Sequence, residues 1–300
     1  MSHKISNLWL NLSASLFSNV DERFIDEFRE PGGPNSRLAA WDPYDPTMRY
    51  YKLILFDAAM RWPDHAYDLY RQVGNTNVGN PVSVRVKGLH INLDYLFSIN
   101  EYMFLESAMD TQGVNSIIEI GAGFGRTCHT LLELLPALKS YTIVDLPELL
   151  NLSTRYLARA VPDHMDKITF IDATAEKDWL NISSDLSINI DSFQEMPPET
   201  IEKYISSVIS GSNTFYIKNP IGKYLPKSVG HIEATGSNIM DVFDLGHCRN
   251  IIDIFDDEEL SNAREAFVLA YMPSSEWRAV AQAPMDIVPY YQNVLYKQNR

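Results

Sequence analysis

The chain has 300 residues, 45% of them hydrophobic and 11% aromatic, with a formal net charge of −14 at pH 7. Such a chain suits one α/β domain of about 200 residues carrying extra helices, and it is too apolar for general disorder. The acidic balance argues against an extended nucleic-acid footprint and against adhesion to an anionic membrane, both of which need clustered Lys and Arg. A neutral or cationic small substrate fits it.

At the N-terminus, "MSHKISNLWLNLSASLFSNVDERF" lacks an uninterrupted apolar core and a cleavage site, so no signal peptide is expected. No stretch approaches the roughly 18 apolar residues of a spanning helix. The two cysteines, Cys128 and Cys248, are too few for a disulfide scaffold and lack metal-ligand spacing, which points to a reducing cytoplasm. Cys128 reads as a small core residue.

Residues 1–110 read as an N-terminal helical extension. "FREPGGPNSRLAAWDP" is the expected mobile loop. "DPTMRYYKLILFDAAMRW" and "DHAYDLYRQV" have helical spacing and are separated by Pro63; "INLDYLFSINEYMFLESAMD" predicts a longer helix. Between them, "GNPVSVRVKGLHINLD" predicts one short strand between two turns.

Residues 111–300 change to alternating strands and helices. Strands are expected at "SIIEI", "SYTIVDL", "KITFIDA", "DLSINID" and "NTFYIKN", and helices at "GRTCHTLLELLPAL", "PELLNLSTRYLARAV" and "PPETIEKYISSVIS". This order predicts a mostly parallel sheet with helices on both faces and ligands at the carboxyl ends of its strands. The tail adds a helix at "DDEELSNAREAFVLAYM" and final strands at "WRAVAQ" and "YYQNVLYKQ", for seven in all.

The chemistry centres on "IIEIGAGFG", residues 117–125. A dinucleotide fingerprint needs G-x-G-x-x-G, and counting from Gly121 the third glycine position is Arg126. The spacing is instead Glu119, Gly121, Gly123, Gly125. This E-x-G-x-G-x-G arrangement resembles class I S-adenosylmethionine-dependent methyltransferases, which implies a Rossmann-like α/β fold and a methyl donor as cofactor. Missing side chains would let backbone amides approach the donor's carboxylate and ribose, and Glu119 would organise its ammonium end. Asp145, ending the next strand, offers a carboxylate to two ribose hydroxyls, and Asp172, ending the third, would accept from the adenine amino group. Ala122, Leu146 and Ala173 flank these positions and share the expected donor contacts; Arg126 is expected to pair with the donor carboxylate or with Glu119.

"YTIVDLPELL", "INIDSFQEMPPETIEKYI", "TFYIKNP" and "GNPVSVRVKGLHINLDYLFSINEY" resemble blocks of the bacterial sugar O-methyltransferase family, over roughly residues 78–220. The resemblance implies methyl transfer to a hydroxyl of a sugar or glycan in polysaccharide or glycoconjugate biosynthesis. Alternatives are O- or N-methylation of another small molecule, or a donor-binding structural partner without turnover. The resemblance also implies a homodimer formed through the helices before the donor loop.

A sugar hydroxyl needs a general base or a divalent cation. Asp191, Gln194 and Glu195 follow the fourth strand, where acceptor and methyl group should meet; Asp191 is expected to contact the donor as well. A purely structural role would have Asp191 cap the turn and Glu195 anchor the following helix. His231, with Glu233 to orient it, is a second candidate base; His90 and His247 are weaker ones, and His129 is expected to be packed. Asp191, Glu195 and Glu233 would suit Mg²⁺, although no linear ligand motif indicates it. Lys218 and Asn219 end the fifth strand and are expected at acceptor oxygens, with Glu101 and Tyr102 closing over the donor; Tyr95, Phe97 and Phe104 read as core.

Overall fold

Strict alternation of apolar side chains organises the sheet. Along "SIIEI", Ile117 joins one hydrophobic cluster and Ile118 and Ile120 the other; along "TFYIKNP", Tyr216 joins the first and Phe215 and Ile217 the second. Both faces of each strand are therefore buried, as a sheet between two helical layers requires. The computed structural model describes residues 48–180, 182–225, 228 and 243–299. The expected mobile loop lies outside them.

The chain divides into two compact units at Leu53/Ile54. Of the first, only 48–53 are described, including the start of helix α1 (Arg49–Met60). The second opens with the rest of α1, followed by α2 (Asp64–Gln72) and a hairpin of β1 (Ser83–Val86) and β2 (Leu89–Asn92), where one strand was expected. Positive φ at Lys87 and Gly88 turns the chain back on itself. Asn92 then caps α3 (Leu93–Ala108), accepting from the Tyr95 N–H, so this helix starts two residues later than its periodicity suggested.

The α/β core follows as β3 (Ser116–Ile120), α4 (Arg126–Leu134), β4 (Ser140–Asp145), α5 (Pro147–Ala160), β5 (Ile168–Asp172), α6 (Glu176–Trp179), β6 (Leu186–Ile190), α7 (Pro198–Ser207) and β7 (Thr214–Pro220). Helix α8 (Asp257–Ala270) and the strands β8 (Trp277–Pro284) and β9 (Tyr291–Gln298) complete it. Strand order is β5-β4-β3-β6-β7-β9-β8. The first five run parallel, and β9 inserts antiparallel between β7 and β8. This is the class I methyltransferase fold, with its switch in strand order between β3 and β6. Helices α2 to α5 pack on one face and α7 and α8 on the other. Residues 54–110 thus share a core with the sheet. Among the described residues no helix is long and apolar enough to cross a membrane.

Asp185 staples the strand ends opposite the site. One carboxylate oxygen accepts from the N–H groups of Asn115 (2.8 Å) and Ser116 (3.0 Å), the other from the Asn213 side chain (3.2 Å). Asp185→Ala orphans those amides and is expected to cost about 2 kcal/mol. Thermal unfolding should register that loss while ligand binding at the far ends of the strands stays unchanged.

Candidate active site

A cavity of about 530 Å³ opens at the carboxyl ends of β3, β4 and β6, within the usual size range of small-molecule sites. The turn after β3 forms its floor. Gly121 has φ +74°, and a Cβ there would stand 2.1 Å from Ser192 Oγ. Gly123, at φ +59°, has open space where a side chain would be, so a ligand can approach its backbone directly. Gly125, at φ +94°, starts α4 and packs against Leu157.

Asp145 holds this turn in place. Its Oδ2 accepts from the Gly123 N–H (2.9 Å) and its Oδ1 from the Leu146 N–H (2.8 Å), while burial pushes its carboxyl pKa up. Each oxygen keeps lone pairs for two neighbouring hydroxyls. Asp172 is placed differently: its Oδ1 is engaged by the N–H (2.8 Å) and hydroxyl (2.7 Å) of Thr174, and Ala173 and Thr174 line the cavity in its stead.

At the end of β6, Asp191 adopts φ +65°, an uncommon backbone state for a residue with a side chain and of the kind that clusters at functional sites. Its buried Oδ1 has no hydrogen-bond partner. Burial raises its carboxyl pKa against the opposing pull of the Lys218 ammonium. Glu195 ends the 3-10 turn Ser192–Glu195 and shares the cavity wall with Asp191.

Alternation along β7 sends Lys218 and Asn219 to opposite faces. Lys218, 2% exposed, donates to Glu101 Oε1 (2.7 Å) on α3, and Arg126 donates to the same oxygen (3.1 Å) and to the Asp94 carbonyl (2.9 Å). Arg126 therefore pairs with Glu101 rather than with Glu119. Although burial opposes it, the two cations hold the Glu101 carboxyl below its ordinary pKa. Asn219 instead donates to Asn189 Oδ1 (2.8 Å), in a network behind the β6 turn. Tyr102 is buried within α3, and the carbonyl of Gln194 accepts from Lys223 Nζ (3.0 Å); neither lines the cavity.

The histidines divide. His129 is fully buried, with the hydroxyls of Tyr95 and Tyr156 both at its Nδ1, and burial lowers its pKa to about 4. His247 stands 3.5 Å from Glu202, away from the cavity. His231 and Glu233 lie outside the described residues. Among the described residues no group of three or more His, Cys, Asp or Glu could hold a metal ion. Sequence reasoning missed Phe124, Thr127, Met196, Thr200 and Tyr204, which also line the cavity. Thr200 and Tyr204 lie four residues apart on one face of α7, a signal that the helix offered from the start, whereas Met196 stands just before it.

No family model matches the chain, and no curated protein matches it. Among solved structures, the mitomycin 7-O-methyltransferase MmcR is similar at 12% identity and TM-score 0.45, over 78% of this chain and 67% of its own. The glycopeptide N-methyltransferase MtfA, complexed with S-adenosylmethionine, matches at 16% identity and TM-score 0.45, over 79% and 98%. Human N-acetylserotonin methyltransferase matches at 13% and 0.43, over 69% of this chain; the chain spans 54% of that protein's length. At these values the likeness adds nothing to the site geometry.

Glu119 lies beside the turn, 1% exposed, and accepts from the Tyr141 hydroxyl (2.7 Å). Burial raises its pKa to about 7 from an ordinary 4.5. Between those values the folded chain holds a proton that the unfolded chain has released, so stability falls as pH rises through that window. Glu119→Gln removes this loss, which is on the order of 3 kcal/mol. The melting temperature of the variant relative to wild type should climb between pH 5 and pH 8, as scanning calorimetry would show; a flat difference would mean that Glu119 ionises normally.

Proposed function

We propose that this chain is an S-adenosylmethionine-dependent O-methyltransferase acting on a hydroxyl of a sugar or sugar-like small molecule in bacterial polysaccharide or glycoconjugate biosynthesis. One observation carries the reading: a bare-backbone turn, a ribose-ready carboxylate and a buried carboxylate with an unsatisfied oxygen converge on one cavity at the switch point of the sheet. The residues present fit the donor. Gly123 leaves its backbone open to a ligand, Asp145 offers acceptor lone pairs, and Glu119 can face an ammonium. When bound, S-adenosylmethionine supplies a methyl group already activated on a sulfonium.

The protein's task is then to position and deprotonate the acceptor. Asp191 is the base in this reading. Its Oδ1 is free to take the hydroxyl proton, and its raised pKa brings it nearer the proton it must accept. Glu195 stands on the same wall to orient the acceptor. Glu101 stays ionised and fixes Arg126 and Lys218, so neither cation roams the site. The net charge of −14 suits a neutral or cationic acceptor better than nucleic acid.

Calorimetric titration with S-adenosylhomocysteine and, separately, NAD⁺ tests the cofactor. Saturable binding of the first alone is expected, weakened at least tenfold in Asp145→Ala; binding of NAD⁺ instead would sink the methyltransferase reading. With an acceptor in hand, Asp191→Asn should keep donor affinity and lower kcat by about 10² to 10⁴. Unimpaired turnover in that variant would remove Asp191 from the chemistry.

A further inference from the structure

Glu101 also lines a second, smaller cavity of about 160 Å³, together with Lys218, with Phe97, Asn100 and Phe104 of α3, and with residues of β8, β9 and the turn between them. Arg126, on the same Glu101 oxygen, lines the larger cavity, so one carboxylate touches the walls of both. At roughly 30 Å³ per water in the liquid, the smaller space holds about five waters, the room of one six-membered ring. Phe97, Phe104 and Met285 give it flat apolar surface.

Its polar groups select the ligand. Asn293 is committed on both sides, accepting from Tyr216 (2.8 Å) and donating to the Ala283 carbonyl (3.1 Å). Lys218 is neutralised by Glu101, and Asp286 stands exposed at the rim. Glu101 Oε2 is left buried with no partner, a carboxylate oxygen that is costly to leave unsatisfied. Lys218 and Arg126 are both committed to Glu101 Oε1, so the charged groups left without a partner cation are Glu101 Oε2 and Asp286, two carboxylate sites that attract hydrogen-bond donors and repel anions.

We infer that this cavity is the acceptor's ring subsite, taking one neutral or cationic ring that bears hydroxyls or an amine, with Glu101 Oε2 accepting from it, and excluding anionic rings. The assignment rests on the methyltransferase reading only in calling the ring an acceptor; the ring's chemistry follows from the cavity.

The test is ligand-observed saturation-transfer NMR on the full chain with methyl glucoside, glucosamine and glucuronate, each with and without S-adenosylhomocysteine. The first two should give signals at least fivefold above glucuronate. Ala283→Trp, which brings its bulk into the cavity from β8, should reduce them at least fivefold while S-adenosylhomocysteine affinity stays within twofold. No ring binding by wild type, equal binding of glucuronate, or signals untouched by Ala283→Trp would each overturn the subsite. If Ala283→Trp does not fold, Asp286→Lys at the exposed rim serves instead: glucuronate should gain at least threefold on methyl glucoside, and an unchanged ratio overturns the assignment. Failure of wild type to bind S-adenosylhomocysteine strikes the methyltransferase reading alone, since the ring signals without it still judge the cavity.

Discussion

Between the turns that leave β3 and β6 there is no room for a side chain at position 121. Ser192 fills that space, donating from its hydroxyl to the Ile120 carbonyl (3.1 Å), and Asn189 donates to the same carbonyl (2.9 Å). The end of β3 is thus held by the very strand from which it must diverge. Because β4 lies on one side and β6 on the other, the chain beyond Ile120 turns away from both neighbours, and a crevice opens where the strand order reverses. The glycine turn, the Asp145 clamp and the placing of Asp191 all follow from that close approach.

Buried charge supplies the second organising constraint. Glu101, Arg126 and Lys218 leave water together, and each would be prohibitively costly alone. Their mutual pairing ties α3, α4 and β7 into one arrangement, so the helix before the first core strand is locked to the rim of the site. Apolar contacts could hold these elements with similar strength but would not fix which oxygen faces which cation. Glu119 presents the opposite case: burial without a cation at hydrogen-bond distance leaves it poised near neutrality, a state that disfavours the folded chain and suits a ligand carrying an ammonium group.

Much of this was legible in the sequence. The strands are short and rich in β-branched and aromatic residues, several helices begin at prolines or capping residues, and the three glycines at alternate positions mark a turn that bare backbone makes most readily. The hairpin β1–β2 escaped because each strand has only four residues, too short for its alternation to stand out from the helix that follows. Asp172 was expected at the adenine amino group, as Asp145 was at the ribose, because both end a parallel strand. They even pair in register, yet Asp172 spends an oxygen on its own turn while Asp145 reaches across to the glycine loop.

Sequence alone determined what local physics dictates: the order of the seven sheet strands and their longer helices, the α/β class, the glycine turn and the acids at the strand ends. Each follows from periodicity or from the conformational freedom of single residues. Tertiary structure decided which polar groups meet. The pairing of Glu101 with Lys218, 117 positions apart, depends on how α3 crosses the sheet and on which face each β7 residue presents, and no linear spacing encodes that. The same crossing placed Arg126 against Glu101 instead of Glu119, sent Asn219 behind the turn, and left Asp191 and Glu101 each with one buried oxygen unsatisfied.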